Sequence, residues 1–436
     1  MTPSREHKRT LRAAALLAVL FIIAPASDRP AAAAEPDGPV ASKEPGWPQW
    51  RGPRRDGLSD ETGLLPAWPE GGPKPLWTAT GLGRGWSSPI VTGDTIYITG
   101  DVGDELRVFA LDLSGKIKWQ AANGQAWKGS FPGARACCAY SDGHVYNMNA
   151  HGRVACFEAA TGREVWAVNV LERFNGRNLT WAVSECLLVD GPNVIVTPGG
   201  RKAFLAALNA KTGETAWAGS PLANPDEPTG YASPILVRQG GRRLLVTLAL
   251  RSVVCADADN GKILWDFPKK TRHDANCATP TWWDGGIFHA NPSGSGGVFL
   301  RMRPQPDGVP VEKAWECKMD NLSGGTIARD GFLYGSGHLN SGWVCMDART
   351  GEVRYESKEL VQGSLIWAEG RLYCLSEAGV VALVKAEPQG FQIISRFNLV
   401  EGKKNDVWAH PVILGRRLYL RYHDTLYAYD IAAPVK

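Results

Sequence analysis

Three features of the sequence could carry chemistry: the adjacent cysteines Cys137 and Cys138, the carboxylate of Glu185 and the imidazole of His410. Neighbouring cysteines can close a strained disulfide ring. A carboxylate can bind calcium or accept a proton, and an imidazole can act as a base or as a metal ligand. Each feature also has a structural explanation, namely two unrelated cysteines, a solvated glutamate and a hydrogen-bonded histidine.

An internal repeat indicates which elements position these residues. The stretch Ala207 to Trp217, ALNAKTGETAW, is typical of a short strand, a tight turn through Gly213 and a return strand that ends on an aromatic residue. Further copies run from Cys156 to Trp166, from Cys255 to Trp265, from Cys345 to Tyr355 and, one residue shorter, from Ala110 to Trp119. A repeated hairpin of this kind predicts a repeat architecture.

The aromatic ends of the copies give the period of the repeat. They are Trp77, Trp119, Trp166, Trp217, Trp265, Trp315, Tyr355 and Phe397. Their separation of roughly 40 to 50 residues is the length of one four-stranded propeller blade. The sequence therefore predicts an all-β, eight-bladed β-propeller with tryptophan-docking motifs. No inner strands precede Trp77, so we expect the strand around it to complete the last blade and close the ring.

A second repeated element, a small residue followed by two short apolar runs, marks the inner strand of each blade. Alignment of the eight copies on their turns places one residue per blade at a comparable height: Ser88, Cys137, Glu185, Ser233, Thr279, Gly325, Ser364 and His410. Because inner strands line the central channel, these residues should form a ring at its mouth. Glu185 and His410 are the exceptions in a ring of mostly small residues.

The A-x-D-x-x-T-G-x-x-x-W pattern resembles the docking motif of the propeller family named after pyrroloquinoline quinone (PQQ), over roughly Trp77 to Asp430. In the dehydrogenases of that family a vicinal disulfide lies against the quinone. The resemblance thus implies PQQ with calcium, with Cys137, Cys138, Arg135 and Trp181 near the cofactor. Glu185 would then lie near the metal, and His410 or an unidentified aspartate would act as base.

The same docking motif occurs in non-enzymatic propellers of the family, such as an outer-membrane assembly lipoprotein, so the motif does not imply the cofactor. Other parts of the dehydrogenase site are not matched. Gly199, Gly200 and Arg201 stand where the metal-binding glutamate of the family might fall, and the register of Asn291 is uncertain.

The segments outside the repeats have their own patterns. Residues 1–26 are predicted to be a signal peptide, with a second cleavage site after Ala34, because a basic start precedes an apolar run and a small-residue site. Residues 27–46 are predicted to be a flexible leader, residues 47–74 a strap with Trp47 and Trp50 buried, and residues 75–436 the propeller. With the predicted signal peptide and no later stretch long enough to span a bilayer, we expect an exported, soluble protein. No cysteine precedes Cys137, so we do not expect a lipoprotein.

Removal of the signal peptide lowers the formal net charge from +4 to +1, which gives no reason to expect nucleic acid as a partner. The loops of one face carry basic and aromatic residues: Arg84, Lys128, Arg135, Arg173, Arg177, Lys269, Lys270, Arg272, His273, Trp127, Phe131, Trp181 and Tyr231. Two hypotheses follow. In the first, a monomeric propeller binds an envelope protein or a cell-surface polymer on this face. In the second, it is a PQQ- and calcium-dependent dehydrogenase of an alcohol or sugar.

Overall fold

Short antiparallel strands joined by glycine-containing turns make up most of the structure, a computed structural model that describes Met1 and residues 35–434. The chain divides into two units, Met1–Glu35 and Pro36–Lys436, and the second contains all eight sheets. The predicted signal peptide, apart from Met1, and residues 27–34 of the predicted leader lie outside the described residues.

Each sheet is one propeller blade of four strands, ordered from the channel outwards. Blade 1 consists of Ile90–Thr92, Thr95–Val102, Glu105–Asp112 and Ile117–Gln125. Blade 2 consists of Ala139–Ser141, His144–Met148, Arg153–Glu158 and Glu164–Asn169. Blade 3 consists of Leu188–Asp190, Asn193–Val196, Ala206–Asn209 and Thr215–Ala218, and blade 4 of Ile235–Gln239, Arg242–Leu248, Ser252–Asp257 and Ile263–Pro268. Blade 5 consists of Thr281–Trp283, Gly286–Asn291, Gly296–Met302 and Val311–Cys317. Blade 6 consists of Ile327–Arg329, Phe332–Ser336, Trp343–Asp347 and Val353–Ser357. Blade 7 consists of Gly363–Ala368, Arg371–Ser376, Val380–Lys385 and Ile393–Asn398, and blade 8 of Val412–Leu414, Arg417–Tyr422, Thr425–Asp430 and Lys74–Ala79. A short helix, Val170–Phe174, follows blade 2 and is capped by the side chain of Asn169.

The predicted eight-bladed propeller and its closure by the strand around Trp77 are confirmed. Lys74–Ala79 pairs antiparallel with Thr425–Asp430, so that Trp77 lies opposite Ala428. Blade 8 thus combines strands from the start and the end of the propeller. This pairing leaves no free seam between the first and last blades.

The repeated tryptophans dock each blade on the next one. Five of them cover the turn glycine of the following blade: Trp77 on Gly115, Trp119 on Gly162, Trp166 on Gly213, Trp217 on Gly261 and Trp315 on Gly351. At Gly213, φ is +72° and a Cβ atom would lie 2.6 Å from the Trp166 ring, so glycine is required there for two reasons. The Trp166 indole N–H also donates to the carbonyl oxygen of Ala210 at 2.9 Å.

The structure predicts unequal contributions from two docking tryptophans. Trp166→Ala should lower the free energy of unfolding by about 3–5 kcal/mol, because it removes a buried aromatic ring and a hydrogen bond between blades. Trp265→Ala should cost about 1–2 kcal/mol less, because the Trp265 indole N–H has no hydrogen-bond partner and that ring covers no turn glycine in the described residues. Urea unfolding of both variants measures the difference, and equal losses would contradict it.

Residues 36–60, which join the end of the predicted leader to the start of the predicted strap and are called the strap below, run through the central channel and contact every blade. Gly38–Pro39 pairs antiparallel with the inner strand of blade 4, and Leu58–Ser59 pairs parallel with that of blade 7. The other contacts are Trp47 with Val91 of blade 1, Pro48 with Tyr140 of blade 2, Arg55 with Leu187 before blade 3, Trp50 with Thr279 before blade 5, Arg51 with Thr326 before blade 6, and Ser59 with Ile413 of blade 8. Part of the predicted leader is therefore attached to the propeller. Trp47 is buried, and Trp50 is half-buried at the channel mouth.

Candidate functional site

A ring of hydrogen bonds joins the inner strands at the mouth of the channel. The backbone N–H of His410 donates to Ser88 Oγ at 2.7 Å, and the N–H of Ser88 donates to Cys137 Sγ at 3.2 Å. The N–H of Cys137 donates to Cys186 Sγ at 3.2 Å, and the N–H of Cys186 donates to Ser233 Oγ at 2.9 Å. Each side chain in this series accepts from the preceding blade. Residues two positions before the inner strands thus link blade 8 to blade 4.

The ring residue of blade 3 is Cys186, not Glu185 as the sequence alignment placed it. Side chains alternate between the two faces of a strand, so an error of one residue reverses the direction of the side chain. Glu185 points away from the ring and accepts a hydrogen bond from the backbone N–H of Thr197 at 3.0 Å. It is buried, and this burial raises its pKa to about 8. It does not line the cavity described below.

The adjacent cysteines are not joined to each other in the structure. Both thiols are free and buried. Cys137 belongs to the ring, whereas Cys138 packs in the apolar core between blades 1 and 2 beside Ile90, Val145 and other core residues. Because consecutive residues leave the extended chain in opposite directions, the two side chains face different environments.

His410 lies in the ring but its environment disfavours a role as base. Its ring packs edge-on against Trp50 with centroids 4.5 Å apart. Burial, reinforced by the charge of Arg51, lowers the pKa of His410 to about 3. An imidazole with so low a pKa is neutral and weakly basic at physiological pH. The carboxylate of Glu185 is directed to Thr197 and does not face His410.

Above the ring, a cavity of about 570 Å³ opens towards the loops. Six aromatic side chains line it: Trp50, Trp86, Phe131, Trp181, Tyr231 and Trp408. Trp86 and Trp408 pack together with ring centroids 4.8 Å apart, and Trp181 packs against Tyr231 at 5.6 Å. The strap supplies Trp50, whose indole N–H donates to Thr279 Oγ1 at 3.1 Å.

Seven of the residues that line the cavity lie two positions before a ring member, on the same face of the chain. The residues two positions before the ring members are Trp86, Arg135, Ser184, Tyr231, Cys277, Ser323, Gln362 and Trp408, and all except Gln362 line the cavity. The sequence predicts Arg135, Phe131, Trp181, Tyr231 and His273 on this face, but it does not predict Trp86 and Trp408 there. The same period-2 alternation that defines the ring could have found them.

Arg135 provides the main positive charge of the cavity wall. Its guanidinium lies over the rings of Trp86 and Trp127, 5.6 and 5.7 Å from their centroids. It also donates to the carbonyl oxygens of Gly133 and Phe131, both at 2.7 Å. Burial lowers the pKa of Arg135 to about 10, so that the side chain stays charged at neutral pH. It is positioned by these contacts before any ligand binds.

Three further arginines are buried around the channel: Arg51, Arg55 and Arg421. Burial lowers the pKa of each to about 10, and each remains charged at neutral pH. Backbone carbonyl oxygens are their main acceptors; Arg55, for example, donates to Cys186 O at 2.7 Å and to Leu187 O at 3.0 Å. With Glu185 largely protonated at pH 7, the floor of the cavity is electrically positive.

The described residues do not fit the calcium-bound quinone that the resemblance implies. Cys138 is in the core and Glu185 is directed into blade 3, so neither reaches the cavity. Glu377 is the one carboxylate among the residues that line the described cavity. Nowhere in residues 35–434 do three His, Cys, Asp or Glu side chains cluster as a metal site would require.

The buried carboxyl of Glu185 predicts a specific pH dependence. Its folded pKa of about 8 exceeds the ordinary value of 4.5, so between these pH values the folded protein holds a proton that the unfolded chain releases. The stabilisation from this proton is complete below about pH 4.5 and is lost as the pH rises to about 8. Glu185→Gln carries no charge, so its stability relative to the wild type should increase over this range, by at most about 1.4 kcal/mol per pH unit.

Urea unfolding of wild type and Glu185→Gln at pH 5, 6, 7 and 8 measures this difference. Glu214→Gln, which replaces an exposed carboxylate of the same blade, is the control and should show no comparable increase. A constant difference between Glu185→Gln and wild type would show that the carboxyl does not hold its proton in the folded state.

The fold and the site can now be compared with known proteins. The family model described as outer membrane protein assembly factor BamB, a PQQ-repeat family, matches residues 107–355. This match covers more than half of the chain, and the chain therefore belongs to that family of PQQ-like β-propellers.

Two kinds of relatives share its sequence. The lanthanide-dependent methanol dehydrogenase of Methylacidiphilum fumariolicum (strain SolV) is 30% identical in an alignment of 156 residues that covers 32% of this chain and 24% of that protein. The outer membrane protein assembly factor BamB of Burkholderia pseudomallei (strain K96243) is 26% identical in an alignment of 244 residues that covers 45% of this chain and 60% of that protein. The matches thus span about a quarter of the one relative and less than two thirds of the other.

Solved structures agree on the architecture. The quinohemoprotein alcohol dehydrogenase of Comamonas testosteroni superposes with a TM-score of 0.64 at 15% identity, covering 91% of this chain and 82% of that chain. BamB of Moraxella catarrhalis superposes with a TM-score of 0.57 at 17% identity, covering 82% of this chain and 99% of that chain. At such identities the likeness shows the fold alone.

Proposed function

We propose that this propeller is a binding module of the cell envelope that holds an aromatic or apolar anchor of a partner protein in the cavity above the channel. The observation that supports this most directly is the aromatic lining by Trp50, Trp86, Trp181, Tyr231 and Trp408. Tryptophan, tyrosine and arginine are the residues that most often dominate the binding energy of protein interfaces. A cavity that is already formed and aromatic reduces the entropic cost of binding such an anchor.

The charges around the cavity favour an acidic partner segment. Arg84 and Arg272 are exposed beside lining residues, and neither forms one of the ion pairs found in the described part of the chain. Arg135 and the positive floor of the cavity add to this positive charge. Carboxylates on either side of an aromatic anchor would therefore be attracted to the rim and would accelerate association at low ionic strength.

Export supports this function, since a partner in the envelope must be reached from the same compartment. The predicted signal peptide, residues 1–26, is the basis for placing the mature protein in the periplasm or outside the cell. Among the described residues no helix is long and apolar enough to cross a bilayer. We propose that the mature protein is a monomer and that one propeller presents one cavity.

Capture of partners from envelope extracts tests the proposed function. Immobilised wild type should retain a partner that Trp408→Ala loses, because Trp408 forms one wall of the cavity with Trp86. Trp367→Ala is the control, since this tryptophan lies on the inner strand of blade 7, where Arg329 packs over its ring, and is not part of the cavity. Equal retention by wild type and Trp408→Ala would contradict a role for the cavity.

A second candidate function is a PQQ-dependent dehydrogenase. The dehydrogenase relatives and the Arg135 guanidinium over two aromatic rings support it, although Cys138 and Glu185 do not reach the cavity. A flat anion could stack in such a cavity. Titration of the protein with PQQ and calcium, followed by absorbance and dye-linked alcohol oxidation, tests this alternative. Saturable binding with turnover would establish it, and no binding at concentrations on the order of 10 μM would reject it at affinities useful for a resident cofactor.

A further inference from the structure

Two thiols of neighbouring blades meet in the ring, and the proposed binding function uses neither of them. The backbone N–H of Cys137 donates to Cys186 Sγ at 3.2 Å, so the two residues are in direct contact. The sequence suggests Cys137 and Cys138 as a pair, but the structure places Cys137 beside Cys186 and buries Cys138 in apolar surroundings.

The two thiols differ in reactivity because their surroundings differ. Burial opposes ionisation of Cys186, but hydrogen bonding from Cys137 and the charge of Arg55 lower its pKa below the ordinary value. Burial raises the pKa of Cys137 well above the ordinary value. Arg55 donates to the carbonyl oxygen of Cys186 at 2.7 Å, and this cation beside Cys186 favours it as the nucleophile of the pair and Cys137 as the resolving thiol.

Access also differs between the two cysteines. Cys186 lines the aromatic cavity, whereas Cys137 lies behind it and does not. A small molecule that enters the cavity therefore contacts Cys186 and not Cys137. Cys277, which also lines the cavity, has its pKa raised to about 12 by burial and is largely protonated at neutral pH.

We propose that Cys186 and Cys137 are a redox-active pair that closes to a disulfide between blades 2 and 3 by exchange with a small disulfide entering the cavity. The Cys186 thiolate forms a bond to one sulfur of the oxidant, and the oxidant's S–S bond breaks and releases the other half as a thiolate. Cys137 transfers its proton to this thiolate and attacks Cys186 Sγ, which releases the second half as a thiolate that takes a proton from solvent. Two electrons pass from the cysteines to the oxidant, which leaves as two thiols.

Oxidised glutathione is the probe that tests the pair in the full-length protein. After incubation at pH 7.5 and removal of the reagent, the count of free thiols under denaturing conditions should fall from nine to seven. Peptide mapping should then find Cys137 linked to Cys186 and no glutathione retained. Nine remaining thiols, or a link between Cys137 and Cys138, would overturn the proposal.

Single variants separate the two roles. Cys137→Ser should retain one glutathione on Cys186, because no second thiol can release it, and Cys186→Ser should react at neither position. Cys138→Ser is the matched control and should still form the Cys137–Cys186 link. Glutathione retained on Cys277 in Cys137→Ser would contradict the assignment of Cys186 as nucleophile. Since the test needs no partner protein, its outcome is independent of the proposed binding function.

Discussion

Replacing Arg421 with methionine is expected to lower the free energy of unfolding by more than about 3 kcal/mol. The Arg421 side chain, on blade 8, donates to the carbonyl oxygens of Gly83, Ser87 and Thr99 at the entrance of and within blade 1, at 3.0, 3.0 and 2.6 Å. It is 1% exposed, and loss of the guanidinium removes the side-chain donor of the Gly83 and Ser87 carbonyl oxygens, whereas Thr99 O keeps a hydrogen bond from Ser87 Oγ at 3.0 Å. Each such group costs about 1–3 kcal/mol.

Arg396→Met is the matched control for this prediction, because Arg396 is exposed on the outer strand of blade 7. Its effect should lie within about 0.5 kcal/mol of zero. Urea denaturation followed by tryptophan fluorescence measures both variants. An Arg421→Met protein as stable as the control would show that the contact between blades 8 and 1 does not depend on this side chain.

Removal of residues 36–60 is expected to abolish the cooperative native state. The deletion takes away the buried ring of Trp47, the buried side chains of Arg51 and Arg55, and two strands that pair with blades 4 and 7. Loss of a buried tryptophan alone costs about 3–5 kcal/mol, which is comparable to the whole stability of a small domain. We expect the shortened protein to lose its near-ultraviolet circular dichroism and its sharp thermal transition.

Addition of a synthetic peptide of residues 36–60 tests whether the loss is specific to the strap. Restoration of the thermal transition by this peptide, but not by a scrambled peptide of the same composition, would support the channel contacts as its cause. A shortened protein that melts at the wild-type temperature would show that the strap is dispensable.

The fold could be predicted because its determinants are local. A turn glycine and a docking tryptophan recur within eleven residues, and the hairpin between Ala207 and Trp217 contains both. Ring closure followed from counting strands at the two ends. Where the motif was replaced, as at Tyr355, the structure shows a different contact, with Phe391.

The candidate site was predicted less well because its determinants are distant in sequence. The misplacement of Glu185 came from aligning blade 3 on its turn, where one residue decides which face a side chain occupies. The buried positions of Arg51 and Arg55 in the channel could not be predicted, because their acceptors are backbone carbonyl oxygens that come together only in the closed ring. The charged residue Arg421, inside an otherwise buried strand, was a local indication of a side-chain contact with the neighbouring blade.

Site-specific photo-crosslinking in living cells tests the binding function most directly. A photoreactive phenylalanine analogue replaces Phe131, which is exposed at 49% on the cavity wall, or Val353, which is exposed at 50% on the outer strand of blade 6. We predict a crosslinked partner protein from position 131, lost when Trp408→Ala is added, and none from position 353. Crosslinks of equal yield from both positions, or none from position 131, would contradict the cavity as the binding site.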